Sequence, residues 1–370
     1  MAAWRKIVDS VLDGMVDMVR VVDTDSTILL MNKKMKEAVG DMVGQKCYSV
    51  LGCESPCDQC ISLYAIRDRR TYHKTEILHG RIYSVLSSPI MDEEGNVTAA
   101  VEVFRDITEE RILREQILQH NRKMMEDLEF AQKIQNSFLP SQMPNAYPFR
   151  FHSFYKPCES VSGDIYDVFW LDKEHIGFYL ADVSGHGVTA AMLTIFLKEA
   201  ILHLVKDEGR VLSPAGLLEG LYKRFNQVDL EEHFYITLFY GVLNIRSGKL
   251  RFSNAGHSVP PFFQNEEGIF PIEIPGIPIC RWLDSGQFQE GELTLKPGNR
   301  FLLYTDGLVE EKRCRVEQTI ARIREVMENN RSMEKKVILD HIYEMIQREN
   351  GKEGFQDDVT MLLIDRVRNA

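Results

Sequence analysis

Gly177-Phe178-Tyr179-Leu180-Ala181-Asp182-Val183-Ser184-Gly185-His186-Gly187 is an apolar run that ends on a carboxylate and breaks at once into a glycine turn. Residues 176–182 read as a buried strand with Asp182 at its tip. Aspartate suits a strand interior poorly, but at a tip it can converge with other carboxylates on one point. The same grammar recurs along the chain. Asp164 stands at the start of a strand in Ser162-Gly163-Asp164-Ile165-Tyr166-Asp167. Asp306 ends Phe301-Leu302-Leu303-Tyr304-Thr305 and precedes Gly307, and Asp357-Asp358 directly precede Val359-Thr360-Met361-Leu362-Leu363. One such aspartate reads as a turn former. Four strand tips with one pattern read as a site.

Around these tips the C-terminal region alternates strands and helix pairs. Strand patterns fall at 149–155, 165–171, 176–182, 234–245, 249–253, 261–264, 300–304 and 359–365. Helical patterns fall at 189–205, 214–228, 316–328 and 333–347. Strands grouped apart from paired helices indicate an α+β fold with sheets inside and helices outside. Upstream, residues 106–138 hold no Gly or Pro, and Ile117, Met124, Ala131 and Phe138 recur every seven residues. That predicts a long helix capped by Asp106 or Thr108 and stopped at Leu139-Pro140. Asn121 and Gln135 interrupt its second seam, so the stripe fits either a coiled-coil pair or packing on its own domains. Residues 1–107 mix short strands at 19–22, 28–30, 81–87 and 98–104 with turns at Asp23-Thr24-Asp25-Ser26 and Asp92-Glu93-Glu94-Gly95-Asn96. The expected organisation is therefore a sensor-like module over 1–107, a connector helix over 108–140 and a larger domain over 141–370.

Composition narrows the function classes. The 370 residues are 44% hydrophobic and 27% charged, a globular balance that two domains and a connector accommodate. Net charge is −11 and no Lys/Arg-rich run tracks a phosphate backbone, so nucleic acid is not an expected partner. No apolar stretch in the sequence reads as long enough to span a bilayer, and the charged N-terminus does not read as a secretory leader, so the expected location is the cytoplasm. Seven cysteines in such a compartment argue for thiols or metal ligands before disulfides. Cys47, Cys53, Cys57 and Cys60 cluster closely enough for a four-thiolate site holding Zn²⁺ or an iron–sulfur cluster, for redox-reactive thiols, or for inert cysteines.

Converging carboxylates repel one another unless a cation neutralises them, and hard ions such as Mg²⁺ or Mn²⁺ prefer oxygen ligands. Two such ions can activate a water and polarise a phosphoryl oxygen. Asp182-Val183-Ser184-Gly185-His186-Gly187, Ser162-Gly163-Asp164, Asn254-Ala255-Gly256-His257-Ser258-Val259-Pro260, Tyr304-Thr305-Asp306-Gly307 and Asp357-Asp358-Val359-Thr360 together resemble the bacterial sporulation and general-stress branch of the PPM (type 2C) phosphatases. The lead-in Ala131 to Pro140 is also similar to that branch. The resemblance implies a β-sandwich flanked by helix pairs with two metal ions at one end. It implies that Asp182 bridges both ions, that the Val183 carbonyl completes one shell, that Asp306 and Asp357 bind the other ion, and that Asp164 acts directly or through water. Asp358 is the less favoured ligand of its pair. His186 is either a general acid or a helix-start residue that shapes the turn. Asn254 and His257 are expected to fix a loop beside the site. Ser162 replaces a glycine common in the family, and Cys280 stands where glycine is usual.

Val22-Asp23-Thr24-Asp25-Ser26-Thr27-Ile28-Leu29-Leu30-Met31-Asn32 and the exit Phe104-Arg105-Asp106-Ile107-Thr108-Glu109 resemble a PAS sensor domain, which implies a five-stranded sheet. The combined resemblance implies a sensor-regulated phosphatase acting on phosphoserine or phosphothreonine of a small protein similar to an anti-anti-sigma factor, in sigma-factor and stress regulation. It implies homodimerisation through the PAS domain and connector. Two alternatives share the residues: a catalytically weak binding module of the same fold, and a two-metal hydrolase of small phosphoesters.

Overall fold

The computed structural model describes residues 2–51, 53–55, 57–185, 187–207, 211–231, 233–283, 286–309, 316–330, 335–350 and 355–368. The chain divides into two compact units, Met1–Lys123 and Met124–Ala370.

The first unit runs α1 (Ala2–Asp13), β1 (Met18–Asp23), β2 (Ile28–Met31), α2 (Lys33–Val39), α3 (Ile61–Asp68), β3 (Tyr72–Leu78), β4 (Arg81–Met91) and β5 (Val97–Asp106). Its strands form one antiparallel sheet in the order β2-β1-β5-β4-β3. Local chemistry sets the corners. Asp23 Oδ1 accepts from the Asp25 and Thr27 amides, which closes the β1–β2 turn. Asn32 caps α2 by accepting from Met35 N, and its amide donates to the Leu12 and Asp17 carbonyls. The core joins Met18, Val22, Ile28, Met35, Val85 and Phe104 to Cys47. Arg20 and Glu102 pair 2.5 Å apart inside it. The pair is fully used: Arg20 also donates to the Cys47 carbonyl, Ser62 Oγ donates to Glu102, and the guanidinium lies over the Phe104 ring.

α4 spans Thr108–Phe138. It begins where Asp106 Oδ1 accepts from Thr108 N and stops before Leu139-Pro140. Ile117 and Met124 of the heptad stripe are exposed, as are Leu113, Leu118 and Met125. Gln135, read from sequence as a break in the stripe, is instead buried.

The second unit runs β6 (Phe149–Lys156), β7 (Asp164–Trp170), β8 (His175–Val183), α5 (Val188–Asp207), α6 (Pro214–Phe225), β9 (Tyr235–Asn244), β10 (Lys249–Ala255), β11 (Phe262–Gln264), β12 (Ile269–Pro271), β13 (Ile279–Cys280), β14 (Glu290–Thr294), β15 (Arg300–Tyr304), α7 (Val316–Asn329), α8 (Lys335–Asn350) and β16 (Val359–Arg366). Two sheets stack as a sandwich. One is ordered β14-β10-β9-β8-β7 with β13 on β9, the other β12-β11-β15-β16-β6. Phe178, Phe239, Phe252 and Phe301 meet between them. Gly241 makes this possible, because a Cβ there would lie 2.3 Å from the Phe178 ring. α5 and α6 pack on the outer face of the first sheet, through Leu197, Ile201, Leu217 and Leu221, and α7 and α8 cover the second through Ile323, Met327, Ile338 and Ile342.

Among the described residues α5 is long and apolar enough to cross a membrane, which the sequence reading did not anticipate. Its Ala190, Leu193, Leu197 and Ile201 are buried against the sheet, so its apolar character serves a core. Strands β12 to β14 were also missed: two are only two or three residues long, and β14 is a polar edge strand, Glu290-Gly291-Glu292-Leu293-Thr294.

Candidate metal centre

The carboxylates meet at one end of the sandwich. Asp164 and Asp182 are direct cross-strand partners on β7 and β8, so their side chains stand on the same face of that sheet. Asp306 follows β15 and Asp357 precedes β16, and those two strands pair Tyr304 with Met361. Two threonines stitch the sheets together. Thr305 Oγ1 donates to Asp164 Oδ2 at 2.9 Å and Thr360 Oγ1 donates to the same oxygen at 2.5 Å. Asp164 is buried, and burial first, then the adjacent Asp182 charge, pushes its carboxyl well above the usual carboxylate range. Desolvation also raises Asp357, and the Asp358 and Asp306 charges add to it. Asp306 Oδ2 accepts from Ser258 Oγ at 2.9 Å.

The loop before β7 is open on purpose. A Cβ at Gly163 would lie 2.9 Å from the Val183 carbonyl oxygen, 3.3 Å from Asp182 Oδ1 and 3.5 Å from the Gly185 carbonyl. Val183 O and Asp182 Oδ1 therefore border one small space that only glycine leaves clear. Asp358 holds this loop in place: Oδ1 accepts from Cys158 N at 2.8 Å and Oδ2 from Gly163 N at 2.7 Å. Behind the site, Asn254 accepts from His257 N at 2.7 Å and donates to the Ile274 carbonyl. His257 Nε2 lies 3.0 Å from the Tyr304 carbonyl, which can only accept, so that nitrogen carries the proton. Burial lowers the His257 pKa to about 4, against the pull of Asp306.

The donor set fits hard divalent ions. The carboxylates and the Val183 carbonyl offer oxygen donors, and repulsion between Asp164 and Asp182 and between Asp306 and Asp357 needs a cation to offset it. Among the described residues, the cluster close enough to share one ion is Cys158, Asp357 and Asp358, whose ligand atoms lie within 4.8 Å of one another.

Residues 172–367 match the stage II sporulation protein E family profile, more than half of the chain. The chain belongs to the SpoIIE family. Residues 12–112 match the PAS fold, so a PAS domain precedes the SpoIIE region. The chain is 31% identical over 267 residues to protein IcfG of Synechocystis sp., covering 65% of this chain and 41% of that one. It is 28% identical over 187 residues to the phosphoserine phosphatase RsbP of Bacillus subtilis, covering 50% of this chain and 45% of the relative. It thus spans less than half the length of either relative. Its fold matches the SiaA-PP2C domain of Pseudomonas aeruginosa with a TM-score of 0.58 at 19% identity, over 68% of this chain and 99% of that domain.

Asp182, Val183, Asp306, Asp357 and Asp358 lie within the matched SpoIIE region and Asp164 just before it, and all fall at one end of the sandwich. His186 lies outside the described residues. Sequence reasoning missed Thr305, Thr360, Ser258 and Cys158.

Gln135 was missed as well. Its Nε2 donates to the Ser162 carbonyl at 2.6 Å and to Thr194 Oγ1 at 3.1 Å, while its Oε1 accepts from Ser162 N at 3.0 Å. Lys198 of α5 donates to the Phe138 carbonyl at the end of α4 and pairs with Asp167 at 2.8 Å. The last turns of α4 are therefore bonded to the residue two places before Asp164.

The cysteines do not form the four-thiolate site that their spacing suggested. Cys47 and Cys60 are buried, Cys57 is half-buried and Cys53 is exposed. Among the described residues no three of these sulfurs come within 4.8 Å of one another. Cys47 belongs to the PAS core, and burial pushes its thiol up to about 11, away from the thiolate a metal needs. Zn²⁺ and an iron–sulfur cluster therefore lack support. Burial also raises the Cys57 thiol, which lies within hydrogen-bond reach of Cys60.

Proposed function

We propose that this chain is a divalent-metal-dependent phosphatase for phosphoserine or phosphothreonine on a small regulatory protein similar to an anti-anti-sigma factor, acting in the cytoplasm as a PAS-linked homodimer. The observation that carries the reading is the meeting of Asp164 and Asp182 from one sheet with Asp306 and Asp357 from the other. The SpoIIE-family membership and the named activity of RsbP support it.

Asp182, the Val183 carbonyl, Asp306 and Asp357 would hold the divalent ions, with Asp164 contributing directly or through water. When bound, Mn²⁺ or Mg²⁺ offsets the carboxylate charge, activates water and polarises the phosphoryl group. The chain's own residues do the rest. Thr305 and Thr360 fix the Asp164 carboxylate, and Asp358 spends both oxygens on loop amides, a positioning role. Gly163 keeps the space beside Asp182 clear. His186 stands next in sequence as the candidate general acid. The bonds of Gln135 to Ser162 and of Lys198 to Phe138 offer α4 a direct means of regulating the Asp164 loop.

The test is hydrolysis of p-nitrophenyl phosphate with and without Mn²⁺, beside dephosphorylation of an anti-anti-sigma-like phosphoprotein. Asp182→Asn is expected to lower turnover at least ~100-fold on both substrates. Metal-dependent turnover that survives this substitution would remove the assignment.

A further inference from the structure

The metal end of the sandwich carries two aromatic rings that the chemistry of phosphate hydrolysis does not use. Tyr235 opens β9, and its ring meets Trp282 edge-on at 5.8 Å and 82°. Both are exposed, Tyr235 by 36% and Trp282 by 49%.

Register places them relative to the carboxylates. Asp182 pairs with Thr237 across β8 and β9, and Thr237 and Tyr235 are two residues apart on one strand. Tyr235 therefore stands on the same sheet face as Asp182 and Asp164, about 7 Å further along. The turn after Asp182 is tied to it: Ser184 N donates to the Tyr235 carbonyl at 3.0 Å, and Tyr235 N donates to Ser184 Oγ at 2.8 Å. β13 brings Trp282 alongside by pairing Cys280 with Tyr235. Arg281 fixes that segment from behind through the Leu230 carbonyl and Asp229. On the other side of the Ser184 turn, α5 exposes Val188 and Met192, one helical turn apart on a common face.

We infer that Tyr235 and Trp282 are specificity-determining residues that grip the body of the phosphorylated protein beside its phosphoresidue. The inference rests on the phosphatase reading and adds where the protein is held. A small phosphoester bound at the carboxylates has little surface to lay against an exposed rim ring, whereas a folded protein presenting a phosphoserine must cover that rim. The occupant follows from this continuity: a folded protein that places its phosphoresidue beside Asp182 lays its surface over Trp282. Large aromatics fixed from behind and open in front are the residue type that dominates protein recognition.

The experiment compares kcat and KM of the full chain on p-nitrophenyl phosphate and on a phosphorylated anti-anti-sigma-like protein, with Mn²⁺ present. Trp282→Ala is expected to raise KM for the phosphoprotein about tenfold while both constants for p-nitrophenyl phosphate stay within about twofold. Trp282→Phe, which keeps a ring against Tyr235, is expected to recover most of the loss. An unchanged phosphoprotein KM in Trp282→Ala overturns the inference and leaves the phosphatase reading standing. A parallel fall on both substrates also overturns it, because the ring would then only support the fold. An unmutated chain that turns over neither substrate overturns the phosphatase reading and this inference together.

Discussion

Asp358 and its neighbour Asp357 differ by one position and by what their oxygens do. Both Asp358 oxygens accept backbone N–H groups, from Cys158 and Gly163, across about two hundred residues of sequence. Removing that carboxylate strands two amides, a loss of ~2–4 kcal/mol with damage to the Asp164 loop. Asp358→Ala is thus expected to lower the melting temperature of the C-terminal unit as well as turnover, while Asp357→Ala lowers turnover and metal affinity with little thermal cost. Differential scanning calorimetry beside activity separates them. His257 makes a pH prediction. Its folded pKa of about 4 lies below the ordinary 6.5, so the unfolded chain binds the extra proton between those values. Stability is unaffected above pH ~6.5 and falls as pH drops toward ~4, by up to ~3 kcal/mol from this group. Denaturant titrations across that window should show a shallower pH slope in His257→Gln than in the unmutated chain. An equal slope would mean that the imidazole does not stay neutral in the fold.

At the scale of elements, the end of α4 is the informative piece. Its side chain at Gln135 satisfies both backbone groups of Ser162, so Gln135→Ala leaves buried polar groups unpaired beside the first aspartate. We expect turnover to fall about tenfold and the Mn²⁺ concentration for half-activity to rise, measured by metal titration of the full chain; unchanged metal dependence would break the link between α4 and the site. Sequence periodicity could not reveal this. A glutamine in a heptad looks like a defect in a seam, and only the fold shows that the seam ends there and a hydrogen-bonded clamp begins. The strand tips were legible for the opposite reason. Asp164, Asp182, Asp306 and Asp357 each interrupt an apolar run, and that contrast is written locally. Thr305 and Thr360 were not, because a threonine at the end of a strand or within one is ordinary until its hydroxyl is seen on Asp164. The cysteine cluster misled in a third way: proximity in sequence is not proximity of sulfur atoms, and the fold sends Cys47 into a core and leaves Cys53 outside.

For the molecule as a whole, the unspent apolar surface is the remaining quantity. α4 exposes Leu113, Ile117, Leu118, Met124 and Met125, and α1 exposes Ile7, Val8 and Val11. Leu113, Ile117 and Met124 are spaced by four and then seven residues, so they share one face of the helix. A helix with such a stripe gains most by pairing it with an identical stripe, since two copies bring the same spacing and the same length. Each buried Leu or Ile of this kind contributes ~1.5–3 kcal/mol per side, so a few matched positions are enough for a stable pair at micromolar concentration. The full chain is therefore expected to sediment as a dimer. Leu113→Glu with Ile117→Glu should shift it to monomer, since like charges would then face each other along the stripe. Because neither residue belongs to the carboxylate site, metal-dependent hydrolysis of p-nitrophenyl phosphate by the monomer would locate the role of pairing in regulation, whereas a full chain that sediments as a monomer at all concentrations would rule the paired helix out.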